Sequence, residues 1–260
     1  MTILDKIVAN KRKEVARAKS RVSYTKLEEA EFFARQPYSF REFLLAPDRT
    51  GIIAEFKRRS PSKGIINDKV TVKQVTTAYA DAGASALSVL TDKQFFMGQK
   101  IDVKRARLLN NIPILRKDFM IDEYQVIEAK AIGADVILLI AAILTPAEID
   151  TLATLAKSIG LSVLLEVHNL EELERSTNPK LDAIGVNNRN LADFTVSVDT
   201  SFQLAKHIPD DFLKISESAI SNTEVIKDLK QAGFSGFLIG ENFMRQEDPG
   251  AAMREFVQGL

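Results

Sequence analysis

Cysteine is absent from this 260-residue chain. That excludes disulfides, thiolate catalysis and zinc–thiolate sites together. A reducing, cytoplasmic setting is the expectation. Histidine is scarce: His168 and His207 are the only two, far apart in sequence, so no histidine-rich metal site is expected. Net charge is missing as well. Thirty-five basic and thirty-five acidic residues cancel, which removes any bulk electrostatic case for nucleic acid or a membrane surface. No apolar run reaches the roughly 18 residues that a membrane helix requires. The N-terminal stretch has neither the apolar core nor the cleavage site of a secretory signal. There is no GxxxxGK(S/T) loop and no GxGxxG after the first strand, so ATP and dinucleotide readings fall away.

What is present is ordinary in composition, 45% hydrophobic and 27% charged. Residues 2–20 read as an amphipathic helix. Leu4, Val8, Val15 and Ala18 form one stripe, with Lys6, Lys11, Arg12, Lys13, Arg17 and Lys19 mostly elsewhere. A solvated helix packed on the domain is expected there, rather than a membrane or RNA contact. A second short helix starts near Ser39 and stops before Pro47.

From Gly51 onward, short aliphatic runs alternate with helical segments. The runs are 52–57, 84–91, 112–117, 134–141, 161–167, 181–187, 212–217 and 235–240. The helical segments cover roughly 70–82, 100–110, 122–133, 146–159, 169–176, 198–207, 221–232 and 249–258. Asp122, Asp199 and Ser221 are candidate caps, and Pro146 and Pro249 stand at helix starts. Gly83, Gly133, Gly160 and Gly233 are expected left-handed caps. Eight strands alternating with eight helices indicate parallel βαβ units closed into a (β/α)8 TIM barrel, a fold of about 250 residues. No Pro/Gly/Ser-rich linker divides the chain. Residues 1–260 are read as one barrel domain, with 1–48 as an N-terminal helical extension.

In such barrels chemistry collects at the C-terminal ends of the strands. Glu55 and Lys57 follow the apolar Ile52-Ile53-Ala54. Two apart on a strand, they share a face, and a buried charge is costly unless it is paired or used. Lys117 and Asp118 end the third run and Glu166 the fifth. Asn187, Asn188 and Arg189 end the sixth, and Glu217 and Ser218 the seventh. Singly, each could be a loop charge. Repeated on five strands, they point to one mouth.

Glu166 alternates with Ser162 and Leu164 and so is expected inside the barrel. A raised pKa there would suit general acid–base work; a salt bridge to Lys57 or Lys117 is the plainer reading. Lys57 and Lys117 are candidate proton donors or Schiff-base amines, with pKa values lowered by burial. His168 is read as a loop or helix-start residue. ISESAI (215–220) and LIGENFM (238–244) put Ser218 and Gly240 just ahead of helix starts. Backbone N–H groups at such places bind phosphate.

The segments IIAEFKRRSPSKG (52–64), LSVLTDKQFFMG (87–98), ILRKDFMIDEYQV (114–126), LLEVHNLEEL (164–173) and IGVNNRNL (184–191) carry a resemblance, together with ISESAI and LIGENFM. The chain resembles the indole-3-glycerol phosphate synthase family through essentially its whole length. The resemblance implies a phosphorylated substrate, 1-(2-carboxyphenylamino)-1-deoxyribulose 5-phosphate. It implies ring closure, loss of carbon dioxide and loss of water, with no metal and no organic cofactor; no nucleic-acid or membrane partner is expected, and a monomer is the expectation for the chain.

By position it makes Lys117 the general acid for ring closure. Glu166 would stabilise the cation formed and take part in proton removal, and Glu55 and Lys57 would serve dehydration. Asn187 would hydrogen-bond the substrate and help position Glu55 or the hydroxyls. Ser60, Phe96, Phe119 and Leu191 would shape the anthranilate pocket, and Arg189 would face the carboxylate or support the site. Glu217, Ser218, Ala219, Gly240 and Glu241 would surround the phosphate, with Lys57 also near the substrate's charged groups. The family carries Gly where this chain has Ala219. If that position needs positive φ, Ala adds about 1–2 kcal/mol of strain. Two other readings use the same residues: another phosphate-binding barrel enzyme (a phosphoribosyl isomerase, or an aldolase with Lys117 as Schiff-base lysine), and a non-catalytic metabolite-binding barrel. The last predicts lost acid–base residues, yet both lysines and both glutamates are present.

Overall fold

Three helices precede the first strand in the computed structural model, which describes residues 2–190 and 194–260. They are α1 (Ile3–Arg21), α2 (Tyr24–Glu28) and α3 (Phe40–Leu45). The chain continues through β1 (Ile52–Phe56), the antiparallel pair β2 (Arg59–Ser60) and β3 (Gly64–Ile65), α4 (Val72–Asp81) and β4 (Ala86–Leu90). Next come α5 (Lys93–Phe96), α6 (Lys100–Leu109), β5 (Ile114–Lys117), α7 (Glu123–Ala131), β6 (Val136–Ile140) and α8 (Pro146–Ser158). They are followed by β7 (Ser162–Val167), α9 (Leu170–Ser176), β8 (Ala183–Asn187) and α10 (Asp199–Ala205). The chain finishes with β9 (Leu213–Glu217), α11 (Thr223–Gln231), β10 (Gly236–Ile239), α12 (Glu241–Met244) and α13 (Pro249–Val257). Strands β1 and β4 to β10 close into one parallel barrel, with β1 between β10 and β4.

Both faces of these strands are buried, which is why they read as unbroken aliphatic runs. Ile52, Ala54, Phe56 and Leu87 point outward and pack in the layer beneath the helices. Ile53, Ala86, Leu115, Val136, Leu164, Ala183 and Ile215 fill the interior. Phe40 and Leu44 of α3 belong to the same interior cluster, so α3 plugs the barrel end opposite the strand C-termini. The four helix-ending glycines adopt the left-handed backbone, with φ of 89°, 91°, 81° and 93° at Gly83, Gly133, Gly160 and Gly233.

The differences from expectation are local. The elements α2, α5, α12 and the β2–β3 pair span too few residues to show a period. Side-chain caps hold two of them: Ser23 accepts from Lys26 N–H and Asp92 from Phe95 N–H. The caps of α10 and α11 are Val198 and Asn222, each one residue from the expected Asp199 and Ser221. Asn222 Oδ1 takes the Val225 N–H at 3.0 Å, the bond that makes it the cap.

The fully buried line of α1 is Ile7, Lys11 and Val15; of the expected stripe Val15 belongs to it, while Leu4, Val8 and Ala18 are half-buried. A four-residue spacing brings Ile7, Lys11 and Val15 onto one face. Lys11 tolerates burial because Asp92 and Asp118 meet its ammonium at 2.9 and 2.8 Å. Among the described residues, no helix is long and apolar enough to cross a membrane.

Candidate active site

The strand C-termini open into a cavity of about 620 Å3. Alternation in the pleat carries each apolar interior residue to a polar one at the mouth: Ile53 to Glu55, Leu115 to Lys117, Leu164 to Glu166, and Ile215 to Glu217. Glu55, Lys57, Ser60, Phe96, Lys117, Phe119, Glu166, Asn187, Arg189, Glu217, Ser218, Ala219, Gly240 and Glu241 all line it. These are the sequence-predicted residues except Leu191, which lies outside the described residues.

Lys117 stands at the centre. Its Nζ lies 2.6 Å from Glu166 Oε2 and 3.1 Å from Glu217 Oε2. Across the mouth Lys57 Nζ pairs with Glu55 Oε1 at 2.6 Å. Asn187 Nδ2 donates to Glu166 Oε1 at 3.1 Å, and Asn187 Oδ1 accepts from Ser218 Oγ at 3.0 Å. Asn187 therefore positions Glu166, not Glu55, because β8 neighbours β7 while β1 lies across the barrel. Two glycines make room for the carboxylates. A Cβ on Gly185 would collide with Glu217 Oε1, and one on Gly240 with Glu55 Oε1.

The electrostatics reverse two expectations. Burial disfavours the Glu166 carboxylate, but Lys117 and the neighbouring His168 outweigh it and hold its pKa well below the usual carboxylate range. Burial likewise opposes charge on Lys117, yet Glu166, Glu217 and Glu55 outweigh it and push the ammonium pKa up, not down. The carboxyl that is raised is Glu217. Burial, reinforced by the charges of Glu166 and Glu55, overcomes Lys117 and lifts it to about 7. With one ammonium between two buried carboxylates, only one of them keeps the charge cheaply.

The Phe96 and Phe119 rings sit 5.9 Å apart and form an aromatic corner of the cavity. Arg189 lies 3.7 Å from Glu241 Oε2, and Lys63 approaches the same side chain at 3.9 Å. Ser218 and Ala219 both have positive φ, 67° and 61°. Asn188 holds this turn by donating to the Ser218 carbonyl at 3.2 Å. Ala219 thus occupies the backbone in which glycine is favoured. Ala219→Gly is expected to stabilise the fold by about 1 kcal/mol, read as a higher urea midpoint at unchanged m-value.

Sequence reasoning missed Ile3, Leu4 and Ile7 of α1, which reach over the mouth and line the cavity. It also missed Phe194, Val196 and Arg245, which do the same from loops. The apolar start of α1 was visible, but nothing local says that it faces a cavity. Placing His168 just past the fifth barrel strand was right, yet its ring lies 3.4 Å from Glu166. Among the described residues, no group of three metal-ligating side chains is gathered.

A mouth at the strand C-termini in which lysines and carboxylates are paired beside apolar walls fits a (β/α)8-barrel enzyme. Comparison with known proteins narrows the class. The family model described as indole-3-glycerol phosphate synthase matches residues 4–256. The indole-3-glycerol phosphate synthase of Bacteroides thetaiotaomicron is 48% identical over 258 residues, covering 99% of this chain and 98% of that one. The enzyme of the same name from a Polaromonas species is 43% identical, with 97% of each chain covered. Among solved structures, 3-hexulose-6-phosphate synthase from Salmonella typhimurium superposes with a TM-score of 0.62 at 14% identity, covering 80% of this chain and 97% of that one, a likeness of fold alone. The chain belongs to the indole-3-glycerol phosphate synthase family.

Proposed function

We propose that the chain converts 1-(2-carboxyphenylamino)-1-deoxyribulose 5-phosphate to indole-3-glycerol phosphate by general acid–base catalysis, as a carboxy-lyase of tryptophan biosynthesis. The observation that carries this reading is Lys117 Nζ, 2.6 Å from Glu166 and 3.1 Å from Glu217, at the floor of the cavity. An ammonium so placed is a proton donor for the substrate's carbonyl oxygen during ring closure. Glu166, held as an anion, stabilises the cation that forms and takes part in proton removal. Carbon dioxide then leaves the ring carbon, and the electron pair of the broken C–C bond neutralises the cation and restores the benzenoid ring. The Glu55–Lys57 pair then serves dehydration: Lys57 protonates the hydroxyl that departs as water, and Glu55 takes the proton from the adjacent carbon as the double bond forms.

The anthranilate ring fits against Phe96, Phe119 and the α1 residues Ile3, Leu4 and Ile7, with Ser60 at the edge. Arg189 offers a cation to its carboxylate. The phosphate is assigned to the turns at Ser218–Ala219 and Gly240–Glu241, with Lys57 nearby. Leu191 is retained as a pocket residue from the family resemblance. A cytoplasmic place of action and a phosphorylated small molecule as partner go with this reading, as does a monomer.

Because Glu217 is raised to about 7, it is neutral below that pH and charged above it. The pH profile of kcat is expected to carry an ionisation near pH 7 that disappears in Glu217→Gln. The Schiff-base aldolase reading is disfavoured. Its nucleophile must be a neutral amine, whereas carboxylates hold Lys117 as an ammonium. The deciding assay is turnover of the carboxyphenylamino substrate, followed by the fluorescence of the new indole ring. Absence of that fluorescence, together with borohydride trapping on Lys117, would replace the synthase reading with the aldolase one.

A further inference from the structure

Two carboxylates from different elements face the two ring nitrogens of His168, a residue that does not itself line the cavity. On one side Glu172 Oε2 lies 3.0 Å from Nδ1 and also accepts the His168 backbone N–H at 2.8 Å. Glu172 is anchored in turn. Its other oxygen accepts from Asn169 Nδ2 at 3.2 Å, and its own N–H donates to Asn169 Oδ1 at 2.9 Å. On the other side Glu166 Oε1 lies 3.4 Å from Nε2, an ion-pair distance at which Nε2 makes no hydrogen bond.

A neutral imidazole has one N–H and one lone pair. If Nδ1 donates to Glu172, a neutral ring turns its Nε2 lone pair onto a carboxylate oxygen. If Nε2 donates to Glu166, the clash moves to Glu172. Only the imidazolium turns an N–H and positive charge toward both carboxylates, as a hydrogen bond with Glu172 and an ion pair with Glu166. The side chain is 9% exposed, so water gives little relief.

We propose that His168 is a positioning residue: an imidazolium clamped between Glu172 and Glu166 that keeps Glu166 anionic and aimed while Lys117 gives up its proton. The proposal rests on the reading of Lys117 and Glu166 given above. Before proton transfer, the Lys117 ammonium neutralises Glu166. Once the proton has passed to the substrate's carbonyl oxygen, Lys117 is a neutral amine and that support is gone. A carboxylate left alone in a buried site takes up a proton. His168 keeps a positive charge beside Glu166 through this step, so the anion persists while positive charge develops on the substrate. Asn187 Nδ2 holds Oε1 by a hydrogen bond, the His168 charge lies beside that oxygen, and Oε2 is left to Lys117.

The charged groups around the ring are Glu166 on β7 and Glu172 on α9. Lys117 of β5 stands behind Glu166, and Arg175 of α9 acts on Glu172. Burial pulls the imidazole pKa down, but the two carboxylates outweigh it and raise it to about 9.

With two histidines in the chain, imidazole NMR titration of the intact protein without substrate gives two curves, which His168→Gln assigns. His168 is expected to stay charged through neutrality, with Glu172→Gln lowering its midpoint by about a unit. A His168 midpoint at or below about 6.5, the ordinary histidine value, overturns the proposal. So does a midpoint that Glu172→Gln leaves in place. In kinetics, His168→Gln is expected to lower kcat at least about tenfold with little change in KM, and to move the acid limb of the profile to higher pH. Wild-type kcat and pH profile in a folded His168→Gln also overturn it. If that variant fails to fold, the wild-type and Glu172→Gln titrations decide. Because those titrations need no turnover, a failed synthase reading and a failed clamp give different results.

Discussion

Lys117→Ala and Glu166→Gln each lower kcat by about 10²–10⁴-fold, the span of a general acid–base group, while the protein stays folded. The two substitutions break the same 2.6 Å contact from opposite ends. Lys117→Ala removes the proton donor and leaves Glu166, Glu217 and Glu55 without their common cation. These groups line an open cavity, where carboxylates can take up protons instead of forcing the barrel apart. Glu166→Gln keeps the shape and can still accept the Asn187 hydrogen bond, but removes the negative charge. The expected signature is a collapse of kcat with a smaller change in KM, because an interaction made in the transition state is lost. Steady-state kinetics beside circular dichroism provide the check. Near-wild-type turnover in either folded variant would sink the assignment of these two residues.

Lys11→Met is expected to destabilise the protein by about 3–5 kcal/mol, the cost of removing one partner from a buried ion pair. Methionine preserves the aliphatic stem and most of its packing. It leaves the carboxylates of Asp92 and Asp118, 0% and 2% exposed, without the ammonium between them. Asp118 keeps Arg116 at 3.1 Å and Thr91 Oγ1 at 2.6 Å. Asp92 retains the Phe95 N–H at 2.8 Å and loses its cation. Most of the cost therefore falls on Asp92, the cap of the short helix that carries Phe96. A shift in the urea midpoint at constant m-value measures the loss, and a rise in KM reports the loosened aromatic corner. A change below about 1 kcal/mol, the scale of a surface pair, would show that the contact is not a buried one in energetic terms.

The same residue shows where local pattern stops being informative. Lys11 was placed on the solvated side of α1 because hydropathy treats lysine as a surface residue. Its partners lie some 80 and 107 positions further on, and no window of the sequence brings them together. His168 is similar. Its place after the fifth barrel strand was legible, but its neighbours on β7 and α9 became meaningful only once both carboxylates were seen on one ring. The raised carboxyl was sought at Glu166 and found at Glu217 because Lys117 reaches the former more closely, 2.6 against 3.1 Å, and His168 adds a second cation there.

By itself the sequence determined the barrel and the membership of its mouth. Strand and helix periods, proline starts and glycine caps are properties of neighbouring residues, and eight repeats of them leave little choice of topology. Pleat alternation likewise set which strand-end side chains point inward, Glu55 with Lys57 and Glu166 with Leu164. The tertiary structure alone decided which of those groups are paired, which carboxyl is pushed toward its neutral form, and that the N-terminal helix forms a wall of the cavity. The physical reason is range. Secondary structure follows from contacts within a few residues, whereas charge pairing and pKa depend on ångström-scale distances between strands that only barrel closure brings together.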